Sequence, residues 1–165
     1  MATYYVNNTL PAASNSNVGT NPALPWLTLS KAASTVTAND TVIVGPSGTY
    51  NERVTPSSSG GSSTRITYRA NSGTRPIVRG WTLTGKSYIT IQGFEITNQS
   101  MTSDSNASII VTGSTGIHVL DNYIHDTTAF AVRSNPNNGA AKCHFLIVRD
   151  NEMTGIGPAW SGVAG

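Results

Sequence analysis

The chain has 165 residues, enough for one domain with a sizeable core, and only 11% of them are charged, against roughly a quarter in an average soluble protein. Ten Lys/Arg against eight Asp/Glu leave a net charge of +2 with no basic cluster, which argues against nucleic acid as a partner; 38% hydrophobic content at so low a net charge argues against disorder. The single cysteine, Cys143, rules out an internal disulfide and a Cys-rich metal site, and no apolar run approaches the ~18 residues of a membrane span.

In chain order, the opening "MATYYVNN" puts a strand-like run directly behind the Met with no signal peptide. That start is expected of a mature secreted or cell-surface domain given a new start codon. In "PWLTLSKAASTV", Leu29, Ala32, Ala33 and Val36 follow the i, i+3, i+4, i+7 spacing of a short amphipathic helix, with Thr28 or Ser30 as N-cap. Such a helix ahead of the strands is expected to cover an exposed end of the stack, because open β edges invite aggregation. Residues 3–39 thus read as an N-terminal strand and capping helix, and residues 40–165 as the repeating part of a single domain. "DTVIVGPSGTYNERV" supplies a first coil and "TRITYRANSGTRPIVRG" a second.

Three later segments, "KSYITIQGFEIT", "TGIHVLDNYIHD" and "HFLIVRDNEMTG", superimpose at offsets of 28 and 29 residues. Ile89, Ile117 and Leu146 align, as do Ile91, Val119 and Val148, then Ile96, Ile124 and Met153. A period in this range marks a stacked-repeat architecture. Within each segment the apolar residues alternate with a period of two, that of strands rather than helices. Two short strands meet at a corner, "GF" or "DN", and "IVRGW", "SIIVTG" and "AFAVR" provide a third. An all-β chain with three short strands per coil of about 28 residues describes a parallel β-helix, in which neighbouring coils complete a core that none can close alone. Asn122 and Asn151 fall at the same corner of adjacent coils. There Asn tolerates left-handed backbone, and its amide can bond to the neighbouring coil as a short Asn ladder.

The run from "YYVNN" through "PWLTLSKAAS", "NDTVIVGPSGTYNERV" and "TRITYRANSGTRPIVRG" resembles the N-terminal part of secreted bacterial right-handed parallel β-helix proteins. This is the pectate lyase-like superfamily, which includes chondroitinase B and alginate lyase-like polysaccharide lyases. The resemblance covers roughly residues 3 to 126. It implies a right-handed single-stranded parallel β-helix, a polysaccharide partner and, for the lyases, β-elimination at a uronic acid by a Lys or Arg base, with Ca²⁺ neutralising the carboxylate. The opening motifs are specific for fold and poor for activity. Family members continue for further coils, so this chain is expected to be the N-terminal portion of a longer one; otherwise its uncapped last coil would be covered by a partner chain, giving self-association.

Outward positions of the alternation form three rows: Glu95, Tyr123, Glu152; Thr97, His125, Thr154; and Gln92, Leu120, Arg149. Tyr123, His125 and Glu152, with Arg149 and Glu95, make a candidate sugar-binding patch, although water-facing strand positions are polar without any such role. The break at His125 argues against the regular Thr array of an ice-binding surface. Asp121 and Asp150 occupy equivalent corners; they are candidate ligands for a bridging Ca²⁺, or each accepts local backbone N–H bonds in its turn. Arg133 and Lys142, which flank the loop "SNPNNGAAK", and Arg149 are candidate catalytic bases. No complete lyase site is visible, so two functions stand open. One is a carbohydrate-associated β-helix resembling polysaccharide lyases; the other is a non-catalytic structural or cell-surface β-helix assembling by end-to-end stacking.

Overall fold

Short runs of alternating β-branched and polar residues, each cut by a Gly, Asp or Asn corner, can neither extend far nor coil into helices, and they stack instead. The computed structural model describes residues 1–46, 48–97, 107–127, 130–134 and 142–157. Its elements run β1 (Thr3–Val6), α1 (Leu29–Thr35), β2 (Thr41–Val44), β3 (Thr49–Val54), β4 (Ile66–Ala70), β5 (Ile77–Thr82) and β6 (Ile89–Gln92). They continue with β7 (Glu95–Thr97), β8 (Ala107–Val111), β9 (His118–Leu120), β10 (Tyr123–Thr127), β11 (Phe130–Ser134), β12 (Ile147–Arg149) and β13 (Glu152–Ile156).

All pairings between these strands are parallel. One sheet has the order β1-β2-β4-β6-β9-β12. The second forks at β5. Its first half pairs with β7, leading on to β10 and β13, and its second half pairs with β8, leading on to β11. Strand β3 lies on the other side of β5. Mostly β, with parallel sheets built from strands one pass apart, the architecture fits a parallel β-helix.

The expected register holds. Ile91 pairs with Val119 and Val119 with Val148, while Ile96, Ile124 and Met153 share a row. These rows fill the interior: Tyr68, Ile91 and Val119 from the first sheet face Val78, Ile96 and Ile124 from the second, all buried. Burying each such side chain stabilises by about 1.5–3 kcal/mol. At the centre the Trp81 ring lies 5.0 Å from that of Tyr68 and 5.5 Å from that of Phe94. The rows lose their cover at the last described strands, where Val148 is 42% and Met153 40% exposed. Residues 158–165, on which the expected uncapped coil falls, lie outside the described residues.

The helix forms where its spacing placed it, with Leu29, Ala32, Ala33 and Val36 buried. Thr28 is the N-cap, accepting from Lys31 N–H at 3.1 Å. A second cap comes from β3: Glu52 accepts from the backbone N–H of Leu29 at 3.1 Å and of Ser30 at 2.8 Å, and from the Ser30 hydroxyl. The helix therefore packs on the first coil through the Glu of "GTYNERV". The outer edge of β1 is covered separately by Trp26, which bridges to Val6 and stacks on Tyr4 at 4.6 Å.

At the corner between the two sheets, the left-handed position is held by Gly93 (φ 81°), Asp121 (φ 52°) and Asp150 (φ 58°). The expectation that Asn122 and Asn151 adopt it is corrected. Each Asn follows the left-handed residue and turns its amide inward, where it is spent on the stack. Asn122 Oδ1 accepts from Phe94 N–H at 3.0 Å, and its Nδ2 donates to Ile91 O at 3.2 Å and Asn151 Oδ1 at 2.9 Å. Asn151 Nδ2 donates in turn to Val119 O at 2.8 Å. The Asn ladder is present; the torsional strain sits one residue earlier.

Candidate functional site

Strand alternation in β10 buries Ile124 and turns Tyr123 and His125 outward. Parallel register then places Glu95 of β7 on one side of Tyr123 and Glu152 of β13 on the other. The two rings stack, with centroids 4.3 Å apart and planes 17° from parallel. Tyr123 Oη lies 3.3 Å from Thr154 Oγ1, a row away on β13. His125 is held from both sides, by Glu95 Oε1 at 3.1 Å from Nε2 and by Asp126 Oδ2 at 2.9 Å from Nδ1. Asp126 reaches this side because its backbone is left-handed (φ 49°), breaking the alternation that would have turned it away. Burial pulls the His125 pKa down, but the hydrogen bonds to Asp126 and Glu95, and the charges of both, outweigh it and raise the pKa above its ordinary value. The result is a stacked Tyr123–His125 pair, one face of each ring turned to the other, with the carboxylates of Glu95 and Asp126 held on the imidazole. Glu152 stands exposed at its edge.

The other sequence candidates lie elsewhere. Arg149 is on β12 in the six-stranded sheet, across the corner from Tyr123, and its Nε donates to Asp150 Oδ2 at 3.0 Å. Arg133 is on β11, in the other branch of the forked sheet, beside Ile110 of β8. Lys142 is exposed ahead of β12, and residues 135–141 of the loop it flanks lie outside the described residues. The three candidate bases therefore sit on three different parts of the stack.

Asp121 and Asp150 do occupy equivalent corners, but each faces an arginine: Arg75 Nη2 stands 3.5 Å from Asp121 Oδ1, and Arg149 engages Asp150. Among the described residues no three His, Cys, Asp or Glu side chains are grouped to hold a metal. A calcium ion needs six to eight oxygen ligands, so two arginine-paired carboxylates do not fit it. His118 stands outward on β9, its pKa lowered by burial and by the charges of Arg65 and Arg149.

Two features escaped the sequence. Arg65 and Arg53 are half-buried ties between coils. Arg65 Nη2 donates to Ile89 O at 2.9 Å and Gly116 O at 2.6 Å, and Arg53 Nη2 donates to Ala107 O at 2.6 Å. Burial lowers the pKa of both guanidinium groups. The second feature is a cleft of about 730 Å³ beside the Gly93 corner, between the first sheet and the loop after β4. Its lining includes Arg69, Arg75, Gln92 and Asp121.

No family model matches the chain, and neither does any curated protein. Solved structures do. The GH136 lacto-N-biosidase from Eubacterium ramulus superposes on 93% of this chain with a TM-score of 0.72 at 15% identity, the match covering 34% of that protein. XylC in its complex with xylose matches 78% of this chain and 41% of its own, with a TM-score of 0.65 at 19% identity. A rhamnogalacturonan lyase matches 93% of this chain and 51% of its own, with a TM-score of 0.60 at 17% identity. At these identities the likeness is one of fold, and the chain spans between a third and a half of the length of these structures.

Proposed function

We propose that this chain is a right-handed parallel β-helix, with three strand segments per coil, that binds carbohydrate on the face built by Tyr123 and His125 as part of a secreted or cell-surface protein. The observation that carries the reading is the stacked Tyr123–His125 pair flanked by Glu95, Asp126 and Glu152. A sugar ring offers an apolar C–H face and a rim of hydroxyl donors. The outer face of the stacked pair meets the first and carboxylate oxygens accept from the second. The named activities and ligand of the similar folds, a lacto-N-biosidase, a xylose complex and a rhamnogalacturonan lyase, support carbohydrate as the ligand class. Binding is favoured over β-elimination because Arg133, Lys142 and Arg149 do not converge on this face. The test is an amide-resolved NMR titration of the full chain with xylo- and galacto-oligosaccharides. Shifts at residues 95, 123 and 125, abolished by Tyr123→Ala, are expected; no shift there with any oligosaccharide overturns the reading.

A second reading, assembly by stacking of two copies, is favoured by the exposure of Val148, Met153 and Ile156, whose counterparts in the preceding coil, Val119, Ile124 and Thr127, are buried. It expects a dimer in sedimentation that Met153→Glu dissociates, and a monomer at all concentrations overturns it.

A further inference from the structure

Both ring nitrogens of His125 face carboxylates: Glu95 Oε1 stands 3.1 Å from Nε2, and Asp126 Oδ2 stands 2.9 Å from Nδ1. An ionised carboxylate only accepts, and a neutral imidazole carries a single N–H, so only the doubly protonated ring can donate to both. Removing one proton sets a bare nitrogen lone pair against a carboxylate oxygen, and one of the two contacts must open. The same ring lies stacked on Tyr123, 17° from parallel, so whatever frees it alters the face.

The register neighbours of His125 are Thr97 on β7 and Thr154 on β13, neither of which titrates. Glu152 of β13 stands two residues along the row, opposite Tyr123. Beyond β7, β5 carries the exposed Arg79, and β11 carries Arg133 beside Ile110 on the other branch of the fork. Strand β8 has no charged residue. The charges that act on the imidazole are those of Asp126 and Glu95, and they hold its protonated form to pH values above the ordinary 6.5.

Asp126 is the contact that opens. Its side chain is 58% exposed against 27% for Glu95, so water replaces the imidazole around its carboxylate at lower cost. Gly155, at the corresponding position of β13, leaves it room: a Cβ there would lie 2.9 Å from Asp126 Oδ1. Freed at Nδ1, the ring is tethered through Nε2 alone. Resting on the carbohydrate reading of this face, we propose that a proton gates it. While His125 carries two protons, the stacked pair is fixed and holds a sugar. When one proton leaves, Asp126 swings away, the ring turns out of the stack and the sugar is released.

The test follows the imidazole nitrogens of the ¹⁵N-labelled full chain by NMR across a pH titration. Ring-to-ring NOEs between Tyr123 and His125, and affinities for xylo- and galacto-oligosaccharides, are measured at each pH. Nδ1 is expected to lose its proton while Nε2 keeps one, and the NOEs are expected to weaken over the same midpoint. Since only the doubly protonated form holds the sugar, affinity falls about tenfold per pH unit above that midpoint. In Asp126→Asn the amide either accepts from Nδ1–H or donates to a bare Nδ1, and Asn tolerates the left-handed backbone. That variant is expected to bind at both ends of the range. Constant NOEs, loss of the Nε2 proton in place of the Nδ1 proton, or wild-type pH dependence in Asp126→Asn each overturns the gate. Equal binding at every pH also overturns it and leaves the carbohydrate reading standing. No binding at any pH overturns that reading, and the NOEs and nitrogen shifts then decide the gate alone.

Discussion

The amide of Asn122 joins three coils: it accepts from Phe94 N–H, donates to Ile91 O in the coil before, and donates to Asn151 Oδ1 in the coil after. Asn122 is fully buried, as are Phe94 and Ile91, so those two partners have no water to fall back on. Asn122→Ala is expected to leave Phe94 N–H without an acceptor and to cost on the order of 1–3 kcal/mol in urea unfolding. Asn122→Asp keeps the acceptor and loses both donors, setting carboxylate oxygen against Ile91 O and Asn151 Oδ1. It should therefore be rescued as acid protonates the introduced carboxyl. Asn122→Ala should show no such recovery.

His125 ties β10 to β7 through Glu95. Its folded-state pKa is raised above the ordinary 6.5, so its contribution to stability is fully present below about pH 6.5 and fades as pH rises through the folded value. The difference in Tm between wild type and His125→Gln is expected to be largest in mild acid and to shrink toward alkaline pH. In an NMR pH titration of the imidazoles, His118 should titrate below the ordinary 6.5, because burial and the charges of Arg65 and Arg149 lower it. A His125 that titrates below His118 would contradict both assignments.

Glu52 reaches from the first coil to cap a helix more than twenty residues earlier, taking the N–H groups of Leu29 and Ser30. Glu52→Ala is expected to destabilise by about 1–2 kcal/mol, and Glu52→Gln, which keeps one acceptor, by less. Hydrogen exchange at Leu29 and Ser30 reads the loss locally.

Glycine positions separate two kinds of cost. At Gly80 an added Cβ would lie 2.2 Å from Ser108 O on the neighbouring strand, with φ at 149°. At Gly73, φ is also positive, at 73°, but nothing lies within 4 Å. Gly80→Ala should displace β5 from β8 and cost about 3 kcal/mol or more, whereas Gly73→Ala should cost only the left-handed penalty of about 1–2 kcal/mol. Similar Tm values for the two variants would show that the β5–β8 contact is slack.

The interior was legible because the later coils keep nearly constant length. Thr90, His118 and Ile147 are register neighbours 28 and 29 residues apart, so Ile91, Val119 and Val148 announce themselves by position alone. The earlier coils do not keep that spacing. Thr41 to Thr67 spans 26 residues and Thr67 to Thr90 only 23, which hid the adjacency of Arg69 and Gln92 and with it the cleft. The stacked face was read in part: Tyr123, His125, Glu95 and Glu152 follow from alternation. Asp126 does not, since only a left-handed backbone turns it toward His125. The Arg53 and Arg65 ties were invisible because a guanidinium seeking carbonyl oxygens leaves no spacing signature. The calcium reading of Asp121 and Asp150 rested on their equivalence, and the arginine beside each was the missing term.

The fork at β5 bears on how the molecule comes apart. Ile77 and Val78 hold the row leading to β10 and β13, while Trp81 and Thr82 hold the row leading to β11, and β3 grips the same strand from behind. Peeling that starts at the higher-numbered coils can release either row alone until it meets this shared strand, where both must yield together. Slowly exchanging amides should therefore cluster at Val78 and Trp81, making β5 the keystone against which partial opening halts.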